Sequence, residues 1–258
     1  MRKPQALIVG AGRAGLSLAL ALKAAGYPTA VVARSVLGRR RIQRLRLKPA
    51  TKHHLRSAHW VFVAVPDRFV EAQARALESQ LGANAALVHL AGSLSLKALP
   101  AERARGSFHP LCAMASTQTS LRGCHVAVAA SNTQLERQLR SAAKDIGCHP
   151  LRVPEANREE YHAAAVMSAG LAVTLVELAV QSAMHAGLRR RDAERALVHL
   201  SQSALLAALE HGTQRSLTGP AVRGDLRTIK AHQSALTGHS RRAYAVLTAA
   251  MQSLLRPR

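Results

Sequence analysis

A chain of 258 residues exceeds the usual size of one domain, and a hydrophobic content of 48 % supplies core enough for two. Three cysteines without CxxC spacing argue against a disulfide framework or a zinc site, so no metal is assigned and a reducing, cytoplasmic setting fits. The net charge of +22 invites a nucleic-acid reading, but aromatics are 3 % of the chain and no helix-turn-helix, zinc-finger or RRM pattern is present, which leaves salt-sensitive adhesion to polyanions and no specific nucleic-acid partner.

In chain order, the apolar run Ala6-Leu7-Ile8-Val9 enters Gly10-Ala11-Gly12-Arg13-Ala14-Gly15, and an alanine- and leucine-rich helix follows over residues 14–25. Gly26 stops that helix and Pro28 opens a second β run over 29–33, completing a βαβ unit. Gly10 permits the tight turn, Gly12 lets backbone approach a pyrophosphate, and Gly15 lets the helix pack on the sheet. The pyrophosphate then rests on the helix N-terminus, where the amides of the turn through Arg13 and Ala14 point outward. At the end of the second strand, where an NAD site carries an acid on the ribose, stand Arg34 and Ser35, followed by Arg39, Arg40 and Arg41. A guanidinium fork matches a 2′-phosphate, so NADP is favoured over NAD.

After this basic segment, residues 60–65 read as a strand buried on both faces, and Val65, Pro66 and Asp67 lie at its carboxyl end, where a cofactor ribose passes. A helix over 69–81 leads to a strand over 86–90 that closes on Ala91-Gly92-Ser93 at the cofactor edge, where Gly92 is a further cofactor-binding candidate. A further strand over 106–108 ends in His109-Pro110-Leu111. Strands over 125–129 and 148–153, with a helix over 133–146 between them, finish the sheet, and Pro154 marks the boundary. Residues 1–153 thus read as the dinucleotide-binding domain, α/β in class and doubly wound with a parallel sheet. Residues 154–258 read as a smaller all-helical domain for substrate and dimerisation. Its first helix runs over about 156–186, and the stretch from Ala163 to Gly187 has membrane length, but Glu177, Gln181 and His185 along its second half favour a buried helix of a soluble protein and no membrane. A helix from near Asp192 to before Gly212, a glycine-containing loop over 216–224, and helices near 225–236 and 241–255 complete the chain.

Taken in order, Gly10-Ala11-Gly12-Arg13-Ala14-Gly15, Val63-Ala64-Val65-Pro66-Asp67, His89-Leu90-Ala91-Gly92-Ser93, Phe108-His109-Pro110-Leu111, Tyr161-His162-Ala163-Ala164-Ala165 and the segment Leu217 through Gly219, Pro220 and Gly224 to Asp225 carry a resemblance. The chain resembles a family of Rossmann-like proteins with an all-helical C-terminal domain of unknown function, related to pyrroline-5-carboxylate reductase, ketopantoate reductase and 6-phosphogluconate dehydrogenase. The resemblance implies an NADP-dependent oxidoreductase that reduces a small carbonyl or imine acid and dimerises through its helical domains. It also exposes a departure: Ser168-Ala169-Gly170 stands where the family pattern carries an asparagine, and Val166 and Gly170 offer no side-chain hydrogen bond. That departure motivates a second reading as a non-catalytic dinucleotide sensor or scaffold, with non-specific nucleic-acid binding a distant third.

Hydride transfer needs a proton donor for the atom that receives charge. His162, at the start of the helical domain, is the first choice and His109, at a strand end, the second. Tyr161 points about 100° from His162 on a helix, so one of the two faces the nicotinamide. Tyr161, Ser168, Arg223, Asp225 and Lys230 are the substrate-binding candidates, with Arg223 suited to clamp a carboxylate. Asp225 has an alternative role as the cap of the helix that follows, paired with Arg223 or Arg227.

Overall fold

The computed structural model describes residues 3–255. The chain divides into two compact units, one up to Ala165 and one from Val166 onward.

The first unit is built on a single eight-stranded sheet in the order β3-β2-β1-β4-β5-β6-β7-β8. Its strands are β1 (Ala6–Val9), β2 (Thr29–Val32), β3 (Lys48–Pro49), β4 (Trp60–Val63), β5 (Ala86–His89), β6 (Arg105–Leu111), β7 (His125–Ala130) and β8 (His149–Leu151). Helices α1 (Arg13–Ala24), α2 (Val36–Arg44), α3 (Lys52–Ser57), α4 (Val70–Leu77) and α5 (Thr133–Asp145) connect them. All residues of β1, β4 and β5 are buried, because alternate side chains feed two separate cores. Ile8, Phe62 and Val88 enter one with α1 and α5, whereas Leu7, Val9, Val61, Val63 and Leu87 enter the other with α4. This is the physical reason for the uninterrupted apolar runs of the sequence.

The parallel register aligns Val9 with Val63 and Val63 with His89 in neighbouring strands, and His89 with Ser107 in the next. One sheet edge therefore delivers, in adjacent positions, the glycine turn after β1, Val65-Pro66-Asp67 after β4, Ala91-Gly92-Ser93 after β5, and His109 near the end of β6.

Two features differ from the sequence reading. The sheet is not wholly parallel: β6 and β7 pair antiparallel, with Gly106 opposite Ala130 and Leu111 opposite His125. Residues 112–124 hold no helix that would carry the chain back for a parallel strand, so β7 returns beside β6. The basic segment also contains structure, namely α2, β3 and α3, which the sequence does not signal because a short edge strand and polar helices bury too little to leave an apolar period.

From Glu155 to His185 the chain is continuously helical: α6 (Arg158–Val166), a wider turn of π type over Met167–Leu171, and α7 (Ala172–His185). The first turns of this helix belong to the sheet unit, so the expected boundary at Pro154 precedes the division between the units by part of α6. The second unit continues with α8 (Arg190–His211), α9 (Pro220–Arg223), α10 (Leu226–Ala235) and α11 (Gly238–Leu254). Arg190 forks onto Glu177 with nitrogen–oxygen distances of 3.1 and 2.9 Å, tying α8 to α7.

The expected burial of the long helix is not met within one chain. Its most apolar window is only 6 % buried, and it is the one helix among the described residues long and apolar enough to cross a membrane. The sequence pattern reports that a surface is apolar but not what covers it. Here that surface faces outward, with Met167 64 %, Val173 71 % and Leu209 on α8 85 % exposed.

Candidate functional site

The three glycines of the turn are glycines for different reasons. Gly10 sits at φ +124°, where a side chain is strained, and a Cβ there would collide with the carbonyl of Ala64. A Cβ on Gly15 would collide with the carbonyl of Gly10 and press on Ala64 and Ile8. Gly12 has ordinary extended torsions, φ −81° and ψ −177°, and a Cβ there would meet nothing within 4 Å. The chain itself therefore does not require glycine at position 12; open space beyond it does, if something outside the chain is to come close. Gly12 is also the N-cap of α1, makes no side-chain cap, and is followed by no acid in the first turn. The leading amides and the dipole of α1 are thus left for an anion. A dinucleotide pyrophosphate fits this cradle.

At the end of β2, Ser35 caps α2 by accepting from the Gly38 amide at 3.0 Å, which leaves its hydroxyl proton free to donate. Arg34 is exposed, and its carbonyl accepts from Arg39 at 2.7 Å. Arg41 reaches back over the glycine turn to the Ala11 carbonyl at 3.4 Å. Gly38 makes this packing possible: a Cβ there would stand 2.9 Å from the Ala33 Cβ and 3.2 Å from that of Ala11. On the next strand, Asp67 accepts from the Ser93 hydroxyl at 3.4 Å, joining the loops after β4 and β5.

Along the same edge the two candidate histidines come together. The ring centroids of His109 and His162 lie 5.6 Å apart, and a 2.8 Å hydrogen bond joins His109 Nδ1 to the Tyr161 hydroxyl, its direction following the imidazole tautomer. Gly92 is the floor beneath them: a Cβ there would stand 2.2 Å from His162 Nδ1 and 2.9 Å from His109 Cε1. Burial, then the neighbouring His162, then Arg158 push the His109 pKa down to about 4. The neighbouring imidazole and the guanidinium each disfavour a proton on His109. Burial pushes the Tyr161 hydroxyl up to about 12, so it stays protonated.

Arg158, unremarked in the sequence, positions this group. It is 2 % exposed, and its guanidinium donates to the Ala91 carbonyl at 3.2 Å, to the buried Ser107 hydroxyl at 2.5 Å, and to Glu155 at 3.1 Å. Glu155 in turn accepts from the Leu96 amide at 2.9 Å. The first turn of α6 is thereby fastened to the loop after β5, and Tyr161 and His162, three and four residues on, share Arg158's face of the helix. Charged residues are read from sequence as surface, so only the i,i+3 relation of Glu155 to Arg158 hinted at this role. His89, fully buried at the end of β5, has its pKa held near 4 by burial and by the Arg158 charge.

The remaining candidates lie in the second unit. Ser168 falls in the wide turn of the long helix. Asp225 takes the capping role, accepting from the Thr228 amide at 3.0 Å and its hydroxyl at 2.6 Å. Arg223 ends α9 and Lys230 lies on α10, both exposed. An apolar cavity of about 440 Å3 within this unit is lined by Leu178, Tyr244 and Met251 among others, and by none of these candidates.

Residues 124–251 match the family model of DUF2520, a domain of unknown function. No curated protein matches the chain. Among solved structures, a candidate NADP oxidoreductase from Bacteroides fragilis is 21 % identical with a TM-score of 0.80, the likeness covering 98 % of this chain and 99 % of that one. Protein TM1727 from Thermotoga maritima is 22 % identical with a TM-score of 0.76, over 96 % and 97 %. A 1-pyrroline-5-carboxylate reductase from Streptococcus pyogenes is 14 % identical with a TM-score of 0.70, over 98 % and 100 %. The chain is thus a Rossmann-like protein with the fold of the pyrroline-5-carboxylate reductases, whose C-terminal half carries the DUF2520 match.

Proposed function

We propose that the protein is an NADP-dependent oxidoreductase that passes hydride from NADPH to a small carbonyl or imine acid. The observation that carries this reading is Gly12, a glycine that neither torsion nor packing within the chain demands, at the uncapped N-terminus of α1. The bound dinucleotide would supply the hydride. Gly10 through Gly15 hold the pyrophosphate, Arg34 and Ser35 the 2′-phosphate, and Val65, Pro66 and Asp67 border the ribose.

The proton comes from His162. His109, kept neutral near pH 7 by its low pKa, is a poor imidazolium donor and instead orients the group through Tyr161. A sensor that binds the cofactor without turnover is the second reading; it is favoured by Gly170, which leaves the wide turn without a polar side chain there.

The helical unit is proposed to pair with a second copy. Exposed apolar side chains spread over three helices, with Val173 on α7, Leu200 and Leu209 on α8 and Val246 on α11, and α8 also bears Arg191 and Arg195. A dimer face suits that distribution better than a single membrane span.

The test is separate titration of NADPH and NADH. Wild-type protein should bind NADPH more tightly, Arg34→Ala should lose about 1.5–3 kcal/mol for NADPH alone, and Gly12→Val should bind neither while keeping its fold. Equal binding of both cofactors by Gly12→Val and wild-type protein would end this reading.

A further inference from the structure

The ladder between β6 and β7 runs in strict register, with Leu111 opposite His125 at its open end. One step further along the same register stand Cys112 and Cys124, facing each other across the two strands. Their backbones are not paired together: the Cys124 amide donates to the Leu121 carbonyl at 3.0 Å, and the Cys124 carbonyl accepts from His149 at 2.9 Å. The pair therefore occupies a non-hydrogen-bonded cross-strand position, where Cα atoms approach to about 4.5 Å. A disulfide spans Cα separations of roughly 4.4–6.8 Å. Both thiols converge on one acceptor, the Ser120 carbonyl, at 3.8 Å from Cys112 and 4.0 Å from Cys124. Both are partly accessible.

The third cysteine is close by, one step back from His149 along the β7–β8 register and so beside Cys124, but it is differently held. Cys148 is 3 % exposed and its thiol donates to the Leu121 carbonyl at 3.0 Å. Among the described residues no group of three or more His, Cys, Asp or Glu is arranged to hold a metal ion, so the cluster is better read as thiols than as ligands.

We propose that Cys112 and Cys124 form a dithiol modification site that closes reversibly to an intramolecular disulfide on exposure to a low-molecular-weight disulfide such as glutathione disulfide. The Cys124 thiolate attacks one sulfur of the small disulfide, forming a mixed disulfide and releasing one small thiolate. Cys112 then loses its proton to solvent and attacks the Cys124 sulfur, forming the protein disulfide and releasing the second small thiolate. Two protein thiols are oxidised and one small disulfide is reduced to two thiols, with no other reactant. Burial first, then a hydrogen bond to the Cys124 sulfur and the charges of Cys124 and Cys148, push the Cys112 pKa up to about 11, and the Cys124 causes disappear once that sulfur is held in the mixed disulfide, which frees Cys112 to act second.

The bond would pin a loop already engaged with the first helix. Residues 113–123 lie between the two cysteines, and within them the Thr119 amide donates to the buried Ser17 hydroxyl of α1 at 3.1 Å.

The experiment treats the folded, full-length protein with glutathione disulfide, alkylates remaining thiols and maps tryptic peptides. The expected result is a link between residues 106–122 and 123–137, two of the three thiols lost to alkylation and Cys148 still free, with full recovery on reduction. Cys112→Ser should accumulate glutathione on Cys124, whereas Cys124→Ser should gain far less on Cys112. Cys148→Ser should form the link as wild type does. A link through Cys148, cross-linked dimers in its place, three alkylatable thiols after treatment, or equal glutathionylation of the two single variants would overturn the proposal. Circular dichroism of each variant confirms that it is folded, and Cys112→Ala provides a second substitution should the serine not be tolerated.

Discussion

Acidification from about pH 7.5 to about pH 5 should cost the fold about 2 kcal/mol at each of two histidines. In the unfolded chain an imidazole takes up its proton near 6.5, whereas His89 and His109 in the fold resist until about pH 4. Between those values the unfolded state binds more protons, so the contribution to stability is fully present above the unfolded pKa, shrinks as pH falls toward 4 and then levels off. At pH 5 about 1.5 units of that interval have been traversed, and at about 1.36 kcal/mol per unit this gives the stated figure. His89 is the cleaner probe because it is fully buried and the His109 charge is the least of the causes acting on it, whereas His162 is the second largest cause at His109. Urea unfolding of wild type and His89→Gln at the two pH values measures the effect as a difference of differences, which cancels the general repulsion of a basic chain. The variant should lose about 2 kcal/mol less than wild type on acidification. Equal losses in the two proteins would refute the reasoning, for they would show that His89 is protonated as easily in the fold as outside it.

Arg158→Ala should destabilise the protein by about 3 kcal/mol in urea unfolding, at the lower end for a broken buried ion pair because Glu155 keeps access to water. It should also reduce turnover, since α6 loses its fastening beside Gly92; unchanged stability would show the guanidinium to be dispensable. Gly92→Ala should lower kcat by roughly 10-fold or more, because its Cβ displaces the His162 ring. Normal turnover in that variant would separate His162 from the chemistry. His162→Ala should lower kcat by about 10²–10⁴-fold with NADPH affinity nearly constant, the range of a lost general acid. If His109→Ala has that effect and His162→Ala does not, the donor is His109.

Much of the sheet unit could be read from sequence because strands covered on both faces are unbroken apolar runs, and because the glycines of the first turn punctuate one of them. The direction of β7 could not be read, since a buried strand has the same composition whichever way it runs. The proximity of His109 to His162 lay beyond local pattern: it depends on Arg158, whose charge signals a surface and whose actual partners, Ala91 and Ser107, are far away in sequence. Gly92 was legible as a small residue at a strand end, but the reason for its smallness, two imidazole rings, came only with the packing. The apolar character of the long helix was legible, whereas its exposure was not, because hydrophobicity specifies a need for cover and not its source.

Gly38 lets α2, with Arg39, Arg40 and Arg41 on it, nest against Ala11 of the glycine turn. A methyl group at this position would act as a wedge, tilting the arginine-bearing helix outward as a body while leaving the identity of every charged side chain unchanged. Taste for one dinucleotide over another would then be adjustable from a site that touches neither: Gly38→Ala is a dial on the reach of the arginines, and an engineer seeking to retune the protein has a hinge point to work with as well as a charge to swap.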